Sequence, residues 1–146
     1  MRRFPAAAAL LLAALPAGAA DGWTFRAADG GSAGFASNGT YRGLWFACTA
    51  GGGARLLIGT GGTRLQRGVD QTAVVTVDGT AFLQVARASD DGEPALDRRL
   101  PPTEFRQLAE ALAKGKAAEV SMPAGRFALP LAGSGRALKS LLAACS

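Results

Sequence analysis

Residues 74–85 read VVTVDGTAFLQV, two short runs rich in β-branched and apolar residues joined by the pair Asp78-Gly79. Valine, threonine and phenylalanine favour strands. An Asp-Gly or Asn-Gly pair supplies the two positive-φ residues of a tight type I′ turn. The stretch therefore predicts a β-hairpin and makes an antiparallel sheet the basis of the fold.

Similar short runs extend over residues 23–88 and are separated by glycine-rich turns. Alternation of this kind is typical of an antiparallel sheet rather than of helices. A second hairpin is predicted over residues 33–48 around Asn38-Gly39. We expect a further short strand over residues 54–58, whereas the polar, glycine-rich residues 59–68 predict a loop.

The strand that ends at Cys48 has two distinct faces. The two-residue period of a strand places Leu44, Phe46 and Cys48 on one face, and Trp45 and Ala47 on the other. Cys48 therefore points with the apolar face. Trp45 is a candidate exposed contact, and the alternative is that its ring packs against the second layer of a sandwich.

The pattern changes to helical spacing after Pro101-Pro102. Thr103 is a suitable helix cap, and Gly115 is a suitable stop. Between them, apolar residues recur at helical spacing, namely Phe105, Leu108 and Leu112. We expect one amphipathic helix over this segment.

The last part of the chain predicts a hairpin and a second helix. The hairpin spans residues 117–131 around Pro123-Ala124-Gly125, and Pro130 places its second strand at a sheet edge or at the strand's end, because proline lacks an amide donor. Ser134 is the expected cap of the helix. One stripe of that helix is apolar and contains Leu138, Leu141, Leu142 and Cys145.

The N-terminus has the three parts of a secretory signal. Arg2 and Arg3 give a positive start, residues 6–15 are apolar, and the small residues 17–20 allow cleavage after Ala19 or Ala20. The apolar run is too short to span a bilayer. We expect residues 1–20 to be a signal peptide, and residues 21–146 to form a single domain that is periplasmic or secreted.

Two cysteines follow the predicted signal. In an oxidising compartment a single disulfide is the default, and it would join Cys48 to Cys145. A core-facing Cys145 can meet a sheet-facing Cys48 if the last helix lies across the sheet. The predicted fold class is therefore α+β: an antiparallel sheet or small sandwich covered by one or two helices, with the C-terminal helix tied to the sheet by the disulfide.

The absence of histidine from the 146 residues excludes many enzyme classes. Imidazole base catalysis, Ser-His-Asp triads and histidine-ligated metal sites all require that side chain. The carboxylates Asp97, Glu104 and Glu119 could serve a glycosidase only if two of them met in a cleft. We expect no catalytic residues, no cofactor and no metal site.

Two further motifs are weak. Residues 30–34 spell Gly-Gly-Ser-Ala-Gly, the pattern of a nucleophile elbow, but no strand-to-helix context or base accompanies it. Residues 90–93 read Asp-Asp-Gly-Glu and are expected to form a solvated turn rather than a calcium loop.

Loss of Arg2 and Arg3 lowers the net charge from +5 to +3. The remaining basic residues are scattered, so we expect no nucleic-acid partner.

Two segments, residues 44–48 (Leu-Trp-Phe-Ala-Cys) and 127–133 (Phe-Ala-Leu-Pro-Leu-Ala-Gly), together with Ala137-Leu138, Leu141 and Ala144-Cys145, carry a family resemblance. The chain resembles the periplasmic type VI secretion-associated proteins of the VasI kind and, more loosely, the invasion-associated locus B proteins. The resemblance spans about residues 44–145. It implies an exported, non-catalytic accessory role.

Two functions are therefore expected in order of preference. The first is an exported accessory protein that binds an envelope or secretion partner, a protein that the sequence does not identify. The alternative is an inhibitor of a secreted hydrolase of the lysozyme type, suggested by small size, strand content and one long-range disulfide. Such inhibitors typically lack a C-terminal helix, so residues 138–145 argue against the alternative.

Overall fold

The computed structural model describes residues 20–89 and 92–146. Residues 1–19, which carry almost all of the predicted signal, lie outside the described residues. Asp90 and Asp91 of the predicted acidic turn also lie outside them.

Nine strands and two helices make up the described part of the chain. The strands are β1 (Gly22–Arg26), β2 (Ser32–Ser37), β3 (Thr40–Cys48), β4 (Ala54–Gly59), β5 (Gln71–Val77), β6 (Thr80–Ser89), β7 (Ala95–Leu100), β8 (Ala118–Met122) and β9 (Gly125–Leu129). The helices are α1 (Pro102–Lys114) and α2 (Ser134–Ala144).

All nine strands form one antiparallel sheet in the order β1-β2-β3-β4-β7-β6-β5-β8-β9. Strand β6 joins the two halves, because Thr80 to Ala86 pair with β5 whereas Arg87 to Ser89 pair with β7. The sheet curls so far that its last strand approaches β3. At the closest point, a Cβ added to Gly43 would lie 3.2 Å from the ring of Phe127.

The inner face of the curled sheet is the hydrophobic core. Every second residue of the strands points into it, including Leu44, Phe46 and Ile58, which are at most 1% exposed. Both helices cover this face with their apolar stripes. Phe105 of α1 packs on Phe46 with the ring centroids 5.4 Å apart, and Leu138 and Leu141 of α2 are fully buried.

The predicted fold class is confirmed, and the sheet is a single curled one rather than a sandwich. The two predicted tight turns join β2 to β3 and β5 to β6. Their central residues have positive φ as a type I′ turn requires: 51° and 76° at Asn38 and Gly39, and 47° and 84° at Asp78 and Gly79. The strand over residues 54–58, the loop after it and the last hairpin are confirmed, and β9 is an edge strand that ends before Pro130.

Strand β7 was not predicted, because its pattern breaks the expected alternation. Leu96, Arg98 and Leu100 all point to the inner face, since they pair with Ile58, Leu56 and Ala54 of β4. The inward arginine is accommodated at the rim of the core. Arg98 donates hydrogen bonds to Gln84 Oε1 and, over 2.7 Å, to Glu104 Oε2 at the start of α1.

Both predicted helix caps are wrong. Helix α1 begins two residues earlier than predicted, with Pro101 rather than Thr103 as N-cap and Pro102 at the first helical position, where its fixed φ and missing N–H suit the helix. Helix α2 is preceded by Gly133 in the left-handed conformation. The hydroxyl of Ser134 instead donates a 2.8 Å hydrogen bond to the carbonyl of Leu112, and this bond ties the two helices together.

The predicted disulfide is confirmed. It joins Cys48 at the end of β3 to Cys145 just after α2, with the two Cα atoms 5.1 Å apart. Cys48 shares the inner face with Leu44 and Phe46, and Cys145 continues the buried stripe of α2. The bridge therefore fixes the end of α2 to the sheet that α2 covers.

Trp23 connects the two edges of the sheet. Its backbone N–H donates to the carbonyl of Ala132 over 2.9 Å, and its indole Nε1 donates to the carbonyl of Pro130 over 2.7 Å. The acceptors lie just after β9, whereas Trp23 belongs to β1. The chain segment that leaves one edge strand is thus bonded to the other edge strand.

Asp78 has a second role beyond its turn. Its carboxylate accepts hydrogen bonds from the backbone N–H groups of Lys116 and Ala117 at 3.0–3.1 Å, and its own N–H donates to the carbonyl of Ala117. These bonds fasten the β5–β6 turn to the connection between α1 and β8. They satisfy backbone groups just after the helix, which would otherwise lack a partner in secondary structure.

None of the helices in residues 20–89 and 92–146 has the length and apolar character that crossing a membrane requires.

Removal of the disulfide should destabilise the domain. We expect the Cys48→Ala/Cys145→Ala double variant to lose about 2–4 kcal/mol of unfolding free energy, because an unbridged loop of about 100 residues restores entropy to the unfolded chain. Urea denaturation of the oxidised protein, the reduced protein and the variant measures this loss. Equal midpoints with and without reductant would contradict the prediction.

The exposed Asp78 carboxylate should contribute more to the free energy of unfolding than a carboxylate that forms only a surface ion pair. We expect Asp78→Ala to cost roughly 1–3 kcal/mol, because two backbone N–H groups lose a charged acceptor. Asp78→Asn should cost less, since asparagine tolerates the positive φ and keeps one acceptor oxygen. The matched control is Asp70→Ala, which breaks only the exposed Asp70–Arg87 pair and should cost about 0.2–1 kcal/mol. Equal losses for Asp78→Ala and Asp70→Ala in denaturant titrations would rule out the proposed fastening.

Candidate functional site

The outer face of the sheet carries the candidate site. Both helices pack on the inner face, so the side chains that alternate outward from β1, β3, β4 and β7 meet no covering layer in the described part of the chain. Cross-strand pairing puts Trp45 of β3 beside Leu57 of β4, and Leu57 beside Asp97 of β7. Trp45 therefore lies on the face opposite to Cys48, as the strand period predicts.

Three side chains form a layered row on this face. The rings of Tyr41 and Trp45 are nearly parallel, 16° apart, with their centroids separated by 6.2 Å. The guanidinium of Arg26 lies over the Tyr41 ring, 4.3 Å from its centroid, in a cation–π arrangement. Arg26 also donates to the carbonyl of Gly39, and the Tyr41 hydroxyl lies 2.8 Å from Ser32 Oγ. These hydrogen bonds fix the side chains of Arg26 and Tyr41 in the row.

Two glycines make room for the Trp45 side chain. A Cβ on Gly34 would lie 2.2 Å from the Trp45 Cβ, and a Cβ on Gly59 would lie 3.6 Å from the indole ring. The ring rests on the sheet over these positions and next to Leu57, which is only 8% exposed although it faces outward. Trp45 is consequently half-buried, with one part of its ring seated and the other part open.

A shallow hollow lies beside the aromatic row. Its volume is about 250 Å³, and its walls are Arg26, Gly39, Thr40, Tyr41, Trp45 and Glu93. The walls mix an aromatic ring surface with hydrogen-bond donors and acceptors. We call this feature the aromatic hollow.

A second, more apolar cavity lies at the seam where the curled sheet brings β9 close to β3. Its volume is about 310 Å³. It is lined by Phe35, Gly43, Gly59, Gly61 and the residues 127–130 (Phe-Ala-Leu-Pro), with Arg42 and Glu93 at its rim. We call this feature the seam cavity. Gly43 and Gly59 leave no Cβ at its floor, where a Cβ on Gly43 would lie 3.2 Å from the Phe127 ring.

Arg42 and Glu93 separate the two hollows. Their side chains are 55% and 54% exposed and approach to 3.8 Å, a long and solvent-screened ion pair. Glu93 lines both the aromatic hollow and the seam cavity. The two features are therefore neighbours on one continuous surface.

The carboxylates considered for catalysis are engaged separately. Asp97 pairs with Arg55 on the outer face, Glu104 with Arg98 at the start of α1, and Glu119 with Arg126 on the outer side of β8. Asp97 and Glu104 thus stand on opposite sides of the sheet. In residues 20–89 and 92–146, no group of three or more acidic or cysteine side chains could hold a metal ion.

The Gly-Gly-Ser-Ala-Gly motif does not form a nucleophile elbow. Ser32 is the first residue of β2, so the motif leads into a strand rather than from a strand into a helix. Its hydroxyl is engaged with the Tyr41 hydroxyl. The serine belongs to the support of the aromatic row.

Among the residues that line the aromatic hollow, the sequence indicated Trp45 as a candidate contact and Glu93 only as part of the acidic turn over residues 90–93. Arg26, Tyr41 and Glu93 come from three separate strands or loops, and only the sheet order brings them together. A sequence signal was present for Tyr41, because it precedes Trp45 by four residues on one strand and the two-residue period places both side chains on the same face. Phe127 and Leu129 carried no sign that their strand would approach β3.

In comparisons with family models, curated proteins and solved structures, nothing matches this chain. The resemblance to the VasI kind of protein therefore stays a prediction from the sequence pattern.

The close packing of β2 on β3 at Trp45 can be tested through Gly34. We expect Gly34→Ala to cost about 1–3 kcal/mol of unfolding free energy, because its Cβ would overlap Trp45 and the strands must separate. The control is Gly22→Ala, where the nearest atom would lie 3.4 Å away and alanine should be neutral or stabilising by roughly 0.5–1 kcal/mol. Chemical denaturation and tryptophan emission measure both variants. A neutral Gly34→Ala would show that β2 and β3 do not pack as closely at Trp45 as described.

Proposed function

We propose that this chain is an exported, non-catalytic accessory protein that binds a protein partner of the cell envelope or of a secretion apparatus. The observation that carries the proposal is the seam cavity, an apolar recess on an uncovered sheet face with aromatic and arginine side chains beside it. An open apolar recess with a polar rim is a site where a protein partner can bury an apolar anchor residue.

The seam cavity has the size and lining to accept an apolar side chain of a partner. Phe127 and Phe35 are half-buried, and Leu129 is buried, so the cavity offers apolar walls held in fixed positions. A partner side chain that enters it would leave water and gain stability in proportion to its apolar area. Protein interfaces commonly concentrate their binding energy in such central, desolvated pockets.

The surroundings of the cavity support a protein partner. Tyrosine, tryptophan and arginine are enriched where protein interfaces bind most strongly, and Tyr41, Trp45 and Arg42 stand beside the opening. Trp45 is the contact that the sequence predicts. Its rigid, half-buried ring loses little side-chain entropy on binding.

The distribution of charge supports a role other than nucleic-acid binding. Several arginines of the sheet face carboxylates rather than an open strip of surface; examples are Arg42, Arg55, Arg87, Arg98 and Arg126. Phosphate-backbone recognition requires clustered basic groups that are free to release counterions. The same pairing engages the carboxylates on which a glycosidase mechanism would depend.

The disulfide supports export. Disulfides persist in oxidising compartments such as the periplasm and the extracellular space, and this one joins the sheet to its covering helix. A periplasmic or secreted location follows if the N-terminal segment acts as the signal that the sequence predicts.

Affinity capture from envelope extracts tests the proposal. The disulfide-bonded protein is expected to recover a partner reproducibly, and Ala128→Arg should weaken that binding about tenfold or more, because a long charged side chain would fill the cavity opening. The matched control is Ala81→Arg, since Ala81 is also an exposed strand alanine but lies on β6, three strands from β9.

Two results would overturn the proposal. One is a reproducible failure to recover any partner. The other is equal binding by Ala128→Arg and Ala81→Arg. Titration against lysozyme-type hydrolases is the companion measurement, and stoichiometric inhibition there would favour the inhibitor alternative instead.

A further inference from the structure

We infer that the aromatic hollow binds a neutral saccharide, the ring of which stacks on the open part of the Trp45 indole. This site lies beside the seam cavity, and the inference goes beyond the protein partner proposed above. It rests on the shape of the hollow, on its hydrogen-bonding groups and on its charges.

The shape suits a flat, rigid ligand. Trp45 and Tyr41 are nearly parallel and lie on a sheet face that nothing covers in the described residues, and the hollow beside them is shallow. A pyranose ring has an apolar face of C–H groups that packs against the face of an aromatic ring. The Tyr41 ring already carries Arg26 on one side, so Trp45 offers the accessible ring surface.

The polar walls supply both donors and acceptors at the edge of that ring surface. Arg26 has five N–H donors, of which one is bound to the Gly39 carbonyl. Thr40 is exposed and its hydroxyl both donates and accepts, and Glu93 accepts through two oxygens. Sugar hydroxyls are themselves donors and acceptors. A ligand with several hydroxyls around an apolar ring can therefore satisfy the whole rim.

The charges argue against ligands of other chemistry. A cation such as a quaternary ammonium would meet Arg26, which already occupies the Tyr41 ring face, and Arg42 nearby. An anion would meet Glu93, which faces the same hollow and pairs with Arg42. A wholly apolar ligand would bury the hydrogen-bonding groups of Arg26, Thr40 and Glu93 without partners, which costs free energy. A neutral, hydroxyl-rich ligand avoids all three penalties.

Intrinsic fluorescence tests the inference directly, because the chain has two tryptophans and they lie on opposite faces. Trp23 is 7% exposed and bonded within the fold, whereas Trp45 borders the hollow. The disulfide-bonded protein is titrated with chitotetraose and with maltotetraose, and it is sedimented with insoluble chitin, a neutral polysaccharide. We expect at least one probe to give a saturable change in emission or reproducible co-sedimentation.

The variants locate the site. Trp45→Ala should weaken saccharide binding about tenfold or more, and Trp45→Phe should weaken it less, because a smaller aromatic face remains. Glu93→Gln and Thr40→Val alter exposed side chains and keep the fold, so they test the rim if Trp45→Ala proves unstable. Each should weaken binding several-fold. Trp23→Phe and Ala128→Arg are the controls, and both should bind the saccharide as the unchanged protein does.

The outcomes separate this inference from the proposed protein partner. Absence of binding to both tetrasaccharides at about 10 mM, together with no co-sedimentation with the insoluble probe, would overturn it. Binding that survives Trp45→Ala and Glu93→Gln unchanged would also overturn it. Saccharide binding that is lost in Ala128→Arg, together with the protein partner, would show one shared site at the seam cavity rather than a separate aromatic hollow.

Discussion

The inner face of the curled sheet is apolar along almost its whole length, and water must be kept from it. Burial of each large aliphatic or aromatic side chain there is worth about 1.5–3 kcal/mol. The sheet meets part of this need by curling, so that Leu44 and Phe46 of β3 approach residues from distant strands, and α1 and α2 cover what remains. The disulfide connects the end of α2 to β3, and the Trp23 hydrogen bonds connect β1 to the segment after β9. The Ser134–Leu112 hydrogen bond connects the two helices.

Much of this arrangement is readable from local sequence. Asn38-Gly39 and Asp78-Gly79 specify tight turns because few other residues adopt positive φ, and a compartment that oxidises thiols specifies the bridge. Strand β7 was not predicted because Arg98 occupies an inward position, where the alternating pattern of a strand has an apolar residue. Arg98 is tolerated there because Gln84 and Glu104 satisfy it, and both come from other elements. Helix α1 begins earlier than predicted because Pro102 suits the first helical position, and α2 does so because the Ser134 hydroxyl bonds to α1 instead of capping its own helix.

The candidate site shows the same division between local and long-range information. The outward direction of Trp45 follows from the two-residue period of one strand. The same period places Tyr41 of β3 on the face of Trp45, whereas Arg26 and Glu93 become its neighbours only through the pairing of separate strands. The seam cavity depends on the degree of curl, which brings Phe127 against Gly43. The degree of curl is a property of the whole sheet, so it cannot be predicted from any one segment of the sequence.

The strand order also implies a sequence of folding events. Among the described strands, most pairings join neighbours along the chain, as in β1–β2–β3–β4 and β5–β6, and only β4–β7 and β5–β8 join strands that are not consecutive. Local hairpins close quickly, whereas pairing of distant strands must first overcome the entropy of a long loop. The meander β1–β4 and the hairpin β5–β6 can thus form early, and the docking of β7 and β8 sets the folding rate. The outer surface with its two hollows is completed only in that late step, so a partially folded chain would not present it.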